Sequence, residues 1–396
     1  QELRTTDNVI AGTIFPQTLD VIPIQSGPIR HSSRLNSVWG NNEGANFSWE
    51  LYDFGLRKAN VGVARAEQTS AQANLRLTEL DVATAAGQAY LTAVAARETI
   101  RAQQATVRRM EAWQLVVHTL VDRGLRPGVD SARADADVAQ ARIGLIDAER
   151  ASEVALVDFA ETLGMAGAVL SVEDSPWIRR PAKHFVEEPL NIEVVSGHPI
   201  AILHEADVRT AHAQVHAWDK TWYPHLWLHS AMWGRGSGDK VDNRTVAGGI
   251  LPQSANYTFG LSISFPVFDI YSVKAQRMMA LRAEQEQRAN YDLSIKQLTQ
   301  KDARARVVLD QARKIATETA YLIEAARENE TKALERYRVG LANIVEVAEA
   351  EEILARAEVE NAVAEVRVWN AILAVTYAQG DLKPFLSMAS AAEGTK

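Results

Sequence analysis

The chain has 396 residues, is 47% apolar and 23% charged, and carries a formal net charge of −8. That balance argues against nucleic acid as a partner, since no basic arm or patch is present. There is no cysteine, which excludes a disulfide framework, a thiol nucleophile and a Cys-based metal site. Gln1 is not followed by a basic region and an apolar run, so no signal peptide is read. No apolar run reaches the ~18 residues of a transmembrane helix.

In chain order, residues 1–15 carry little pattern, and Pro16 to Arg30 reads as a strand whose ladder Pro23 and Pro28 limit. His31 to Gly44 is rich in Ser, Asn and Gly and reads as a loop. Phe47, Trp49 and Leu51 then alternate with Ser48, Glu50 and Tyr52, predicting a strand over about 45–54. Leu56 to Leu163 reads as one long helical hairpin over 56–163. Its first arm is proline-free and rich in Ala, Leu, Glu, Gln and Arg, all strong helix formers. Gly124, Pro127 and Gly128 mark the turn, Ser131 to Leu163 forms the second arm, and Gly164 closes it as a C-cap. Gly164 to Glu188 reads as an irregular belt. A helix over about 189–221 then leads to a strand at about 223–234, with Trp227, Leu228, Met232 and Trp233. Gly234 to Asn256 reads as a loop. Tyr257, Phe259, Leu261, Ile263 and Phe265 alternate with Thr258, Gly260, Ser262 and Ser264, predicting a strand over about 256–268. A second hairpin follows over 270–380, and 381–396 is a tail.

The hairpin occurs twice. Asp53 and Asp269, Gly124 and Gly340, and Gly164 and Gly380 all stand 216 residues apart. At the same offset Ala134, Ala141, Ala148 and Ala155 match Ala350, Ala357, Ala364 and Ala371. A seven-residue repeat implies a left-handed supercoil, and alanine at each step lets backbones approach. The chain therefore divides into a first repeat, 1–188, and a second, 189–396.

Strands with an aromatic, apolar face and a face of small polar groups follow the pattern of a transmembrane β-barrel. Helices of ~100 Å fit a soluble sandwich poorly. Four strands cannot close a barrel, which needs about eight, and lipid does not tolerate an open edge. Three subunits supply twelve. The expected architecture is a mixed α and β membrane protein, with a twelve-stranded barrel shared by a trimer and continued by long helical hairpins.

The strand-to-helix junctions Trp49-Glu-Leu-Tyr-Asp-Phe-Gly and Phe265-Pro-Val-Phe-Asp resemble those of the TolC-like outer-membrane efflux protein family. So do the tip motifs Val121-Asp-Arg-Gly-Leu and Tyr337-Arg-Val-Gly-Leu, and Leu163-Gly164. The resemblance spans nearly the whole chain. It implies a homotrimer in the bacterial outer membrane that reaches into the periplasm and serves as the exit duct of a tripartite pump. A periplasmic adaptor, or membrane fusion protein, would connect it to an inner-membrane pump. A duct performs no bond chemistry, so no catalytic residue, cofactor or metal is expected. The short N-terminal stretch departs from the family, which places a helix before the first strand.

The resemblance also assigns sites. Glu346 and Glu349 stand where the family carries an acidic pair narrowing the periplasmic mouth, and their i, i+3 spacing puts them on one helical face. Asp130 and Tyr337 match positions linking neighbouring tip helices. The family's arginine after the second tip is replaced by Ala342, so a second link of that kind is expected to be absent. Gly124, Leu125, Val339, Gly340 and Leu341 resemble the adaptor-docking motif; the glycines are also what plain turns require. Phe259, Leu261, Ile263, Phe265 and Trp49 are expected to face lipid. His212 and His216 have an i, i+4 spacing that can bind zinc, and His204 lies in the same run. No metalloenzyme motif accompanies them. Gly234-Arg-Gly-Ser-Gly lacks the Lys-Ser/Thr of a phosphate loop and reads as an external loop. The competing function is a soluble periplasmic coiled-coil adaptor or interaction protein, which would not need lipid-facing aromatics in Tyr257–Phe265.

Overall fold

The computed structural model describes residues 40–172, 192–237 and 254–394. Three strands and seven α-helices fall within them: β1 (Gly40–Tyr52), α1 (Leu56–Asp122), α2 (Gly128–Thr162), α3 (Ile192–Gly197), α4 (Pro199–Lys220), β2 (His225–Ser237), β3 (Ser254–Ser264), α5 (Ile270–Arg338), α6 (Ile344–Gln379) and α7 (Lys383–Gly394). The strand expected at 16–30 and most of the belt expected at 164–188 lie outside the described residues. The chain clusters into two compact units, each assembled from both halves of the sequence. One is Gln1–Gln68 with Asp207–Gln287, the other Thr69–Ala206 with Arg288–Lys396.

The first unit holds an antiparallel sheet in the order β1-β2-β3. Trp49 opposes Leu228, which opposes Leu261 on β3, so these three share a face. β1 and β2 are longer than their composition implied, whereas β3 ends at Ser264, short of the expected 268. Residues 40–43 and 234–237, read as loop, pair with each other across β1 and β2. Their backbone groups are satisfied by the ladder whatever the local propensity. β3 stops at Ser264 because Pro266 cannot donate to a ladder, and a 3₁₀ turn at Val267–Asp269 leads into α5.

The β1–α1 junction has no linker. A bulge falls between Glu50 and Tyr52. Asp53 then caps the helix, its Oδ2 accepting from Arg57 N at 2.5 Å and its Oδ1 from Gly55 N at 3.1 Å. Phe54 has φ 50°, a left-handed value that is costly for an aromatic side chain. The Glu50 carboxylate is held by Arg57 Nη2 at 2.9 Å and by His225 Nδ1 at 2.5 Å.

In the second unit, the heptad alanines of α2 and α6 are all buried: Ala134, Ala141, Ala148, Ala155, Ala350, Ala357, Ala364 and Ala371. The two hairpins match in length, α1 and α5 having 67 and 69 residues and α2 and α6 having 35 and 36. The largest core cluster joins Leu91 of α1, Leu309 of α5 and Trp369, Ile372 and Leu373 of α6. α7, not anticipated within the tail, caps this cluster by setting Phe385 edge-on to Trp369, with ring centroids 6.0 Å apart.

The helix expected over 189–221 is two helices, α3 and α4, broken at His198-Pro199. Proline removes a donor, clashes with the preceding turn and disfavours helix in the residue before it. His198 fills the gap. Its Nδ1 accepts from Ile200 N at 3.1 Å, so Nε2 carries the proton donated to the Tyr377 carbonyl at 3.0 Å. Burial pushes the His198 pKa down, against that carbonyl contact, and keeps the ring neutral. Gly380, at φ 78°, ends α6 beneath this ring; a Cβ there would lie 2.9 Å from both His198 Cδ2 and Pro199 Cδ.

Gly380→Ala should therefore lower stability by more than the roughly 1–2 kcal/mol of a left-handed alanine. Gly164→Ala, at φ 70° with open space around it, should carry the backbone cost alone. Thermal melts of both variants in detergent check this, and equal shifts would show that the His198 contact adds nothing.

Candidate functional site

Each hairpin turn is closed by a glycine in the left-handed region. Gly124 (φ 70°) donates to Val121 O at 2.9 Å and Leu125 to Leu120 O at 2.9 Å. Gly340 (φ 81°) donates to Tyr337 O at 3.0 Å and Leu341 to Arg336 O at 2.8 Å. This paired pattern satisfies the last helical carbonyls and needs a residue without Cβ at the turn. The side chains of Leu125, Val339 and Leu341 project into solvent, as does Val129, which the sequence reading passed over.

Inside the turns, α1, α2, α5 and α6 converge on Tyr337, which is 0% exposed. Its hydroxyl donates to Asp130 Oδ2 at 2.8 Å. Asp130 and Tyr337, read as a link between tip helices, are thus brought together across the two tips of one chain. Trp113 meets the phenol ring edge-on at 4.9 Å, and Val117, Ile344 and Val347 complete the packing. Burial and the Asp130 carboxylate together hold the phenol pKa well above its ordinary value.

Another contact on Tyr337 comes from the other tip. Arg126 Cζ sits 3.9 Å from the Tyr337 ring centroid, and its Nη2 donates to the Tyr337 carbonyl oxygen. Ala342, where the arginine was sought, is buried in the cluster. Arg126 stands 216 residues before Ala342, so the repeat itself pointed to the position.

Glu346 and Glu349 begin α6 but have different surroundings. Asn343 Oδ1 accepts from Glu346 N at 3.0 Å while Asn343 N donates to Glu346 Oε1 at 3.4 Å, a reciprocal capping box. Arg336 Nη2 lies 3.7 Å from the same carboxylate. Glu346 is half-buried and turned back to the helix start, whereas Glu349 is exposed.

Phe259, Leu261, Ile263, Phe265 and Trp49 are each more than half exposed; by register Phe259, Leu261, Ile263 and Trp49 fall on one face of the sheet, and Phe265 follows the end of β3. The opposite face is bulkier than the small residues of β3 implied. β2 adds Trp227, His229 and Trp233 there, His229 Nε2 lying 3.0 Å from Ser262 Oγ and its ring stacking on Trp227 at 6.1 Å. Gly234 to Ser237 belong to β2 rather than to a loop. His212 Nδ1 lies 3.1 Å from Glu284 Oε1. Among the described residues no group of three potential ligands could hold a metal ion, and no helix is long and apolar enough to cross a membrane.

Residues 30–165 and 204–380 match the outer membrane efflux protein family. The chain belongs to that family. Membership makes this efflux protein a channel rather than an enzyme and places it in the outer membrane, extending into the periplasm. Solved structures share its fold. A membrane protein from Pseudomonas aeruginosa superposes with a TM-score of 0.72 at 17% identity, over 87% of this chain and 85% of that one. CusC gives 0.74 at 16%, over 87% and 83%, and VceC from Vibrio cholerae gives 0.69 at 16%, over 87% of each. No curated protein matches by sequence.

Tyr337→Phe leaves the buried Asp130 without its donor and should cost about 1–3 kcal/mol. In a double-mutant cycle measured by denaturation, Asp130→Ala with Tyr337→Phe should cost less than the two single changes added. Strict additivity would mean that the 2.8 Å contact contributes nothing.

Proposed function

We propose that the chain assembles as a homotrimer whose twelve strands close one outer-membrane barrel, continued by a periplasmic helical barrel. The trimer is the exit duct of a tripartite efflux or secretion system and passes substrates from periplasm to exterior. Its two sequence halves act as copies of one unit. Gly124, Leu125, Val339, Gly340 and Leu341 dock a periplasmic adaptor, and through it an inner-membrane pump. Asp130 and Tyr337 hold the tips together in the resting state, while Glu346 and Glu349 line the periplasmic mouth.

The observation that carries this reading is the sheet. Its described residues form three strands, and one face carries the exposed Phe259, Leu261, Ile263 and Trp49. In lipid every backbone group must find a partner and no edge can stay open, so a sheet this small needs other copies. A soluble adaptor would have no use for such a face. Light scattering of the purified chain in detergent tests the reading: three copies per particle support it, and a detergent-free soluble monomer overturns it.

Leu261→Arg should cost about 2–4 kcal/mol near mid-bilayer and reduce barrel assembly, measured as heat-resistant trimer on gels. Ser262→Arg on the other face should be tolerated better; the reverse order would invert the faces. Gly340→Val should abolish transport while trimers still form, and normal pumping by this variant would remove the docking role. Replacing both Glu346 and Glu349 by glutamine keeps a side chain able to complete the capping box but removes six carboxylates per trimer. In planar bilayers conductance should change and block by multivalent cations should weaken. Unchanged conductance and block would leave the pair as a solvated helix face.

A further inference from the structure

One buried titratable group of the second unit belongs to neither the tips nor the docking surface. His198, between α3 and α4, is 1% exposed. Its ring spans two helix ends. Nδ1 accepts from Ile200 N at 3.1 Å and so caps the start of α4, while Nε2 donates to the Tyr377 carbonyl oxygen at 3.0 Å, in the last turn of α6. Only a neutral ring can do both, because an imidazolium donates from each nitrogen. The groups around the ring are also committed. Ile202 N donates to the His198 carbonyl oxygen at 3.0 Å, and Gly380 N donates to the same Tyr377 oxygen at 2.9 Å. The Tyr377 ring meets the imidazole edge-on, with centroids 6.1 Å apart. Gly380 lies so close beneath it that a Cβ would come within 2.9 Å of His198 Cδ2.

We propose that His198 is an acid-released clasp: the neutral ring fastens the start of α4 to the end of α6, and a proton on Nδ1 undoes it. Protonation would set Nδ1–H against the Ile200 N–H, donor facing donor, at a helix start where the macrodipole already disfavours positive charge. The charged groups that face the ring do not rescue it. Lys301 of α5 opposes a positive ring, and Asp81 of α1, which favours one, is already bonded to the Tyr377 hydroxyl at 2.9 Å. Burial is the largest influence and lowers the ring's affinity for a proton; the Tyr377 carbonyl offsets it only in part. The packed state therefore binds fewer protons than the open one. Its stabilisation is fully present above the ordinary histidine value of 6.5 and is lost as pH falls from there towards the depressed value of the packed ring. The clasp lies just before α7, so its release also loosens the helix that covers Trp369.

Hydrogen exchange of residues 200–206 and 376–382, in the full-length protein in detergent and corrected for intrinsic rates, tests the clasp directly. Wild-type protection should be level above the ordinary histidine value and should fall below it by up to about tenfold per pH unit, down to about pH 5. Asparagine and serine at a helix start accept the same backbone N–H at any pH. Protection in His198→Asn, and in His198→Ser as a second capping variant, should therefore stay level over the whole range, whatever its absolute value. His204→Asn, on the same helix, should keep the wild-type fall. In carbon-13 NMR of histidine-labelled protein, the signal that disappears in the His198 variants should titrate below 6.5 in the wild type. Level wild-type exchange, a fall that survives in both His198 variants or vanishes in His204→Asn, or a His198 ring that titrates at or above 6.5 would each overturn the clasp.

Discussion

A helix of nearly seventy residues cannot be held by its ends. It needs a partner along its whole length, and here that partner is met through alanine. Each methyl group buries little area, so the contribution per contact is small, but it lets backbones come close over many turns. Large side chains gather in two main places. One is the cluster of Leu91, Leu309, Trp369 and Phe385, and the other is the cluster around Tyr337 and Trp113. Between them the seam is narrow and nearly featureless, and the rest of the second unit follows from that.

A uniform seam holds helices together without saying where they stop. Sliding one helix by a heptad would again set alanine beside alanine. Polar groups with a single fitting partner remove that freedom, the role that buried polar positions have in coiled coils. Tyr337 finds Asp130, Arg109 finds Glu351 and Glu358, and Tyr377 finds Asp81 at 2.9 Å. Burial, reinforced by the Asp81 carboxylate, pushes the Tyr377 phenol up to about 12, so this bond keeps its donor at any physiological pH. A slip by seven residues would part the buried Tyr337, Asp130 and Glu351 from their partners, at a cost that alanine packing cannot offset.

The features that repeat were legible in the sequence. Periods of seven and two, proline-free runs and glycine turns gave the hairpins, the seam alanines and the alternating strand, because those signals are local. Pro199 is equally visible, but the helical pattern resumes beyond it, so periodicity alone does not show the break. Asn343 and Glu346 have the spacing of a capping box, but an acidic pair drew the eye to charge rather than to hydrogen bonding. Arg126 lay one step outside the motif being matched. Glu351 carried no signal at all. Its burial depends on helices some twenty and more than two hundred positions away in sequence, and nothing beside it distinguishes it from the exposed Glu352. The bulky inner face of β2 was hidden for a related reason, since a strand with Trp227 and Trp233 on one face and Leu228 and Met232 on the other has no clear alternation to read.

The passage from β1 to α1 takes three residues, and each is committed. Asp53 is bonded to the helix it starts, Phe54 is held at an unfavourable angle, and Gly55 sits in the left-handed region with its N–H on Asp53, while Glu50 at the end of the strand is tied forward to Arg57 and sideways to His225 on the next strand. Such a joint has no slack. A turn of the first helical residues about their own axis cannot be absorbed by a pliant linker and would arrive as torque on the strand. Sheet and helix start therefore behave as one stiff mechanical piece, and flexing must be sought elsewhere along the chain.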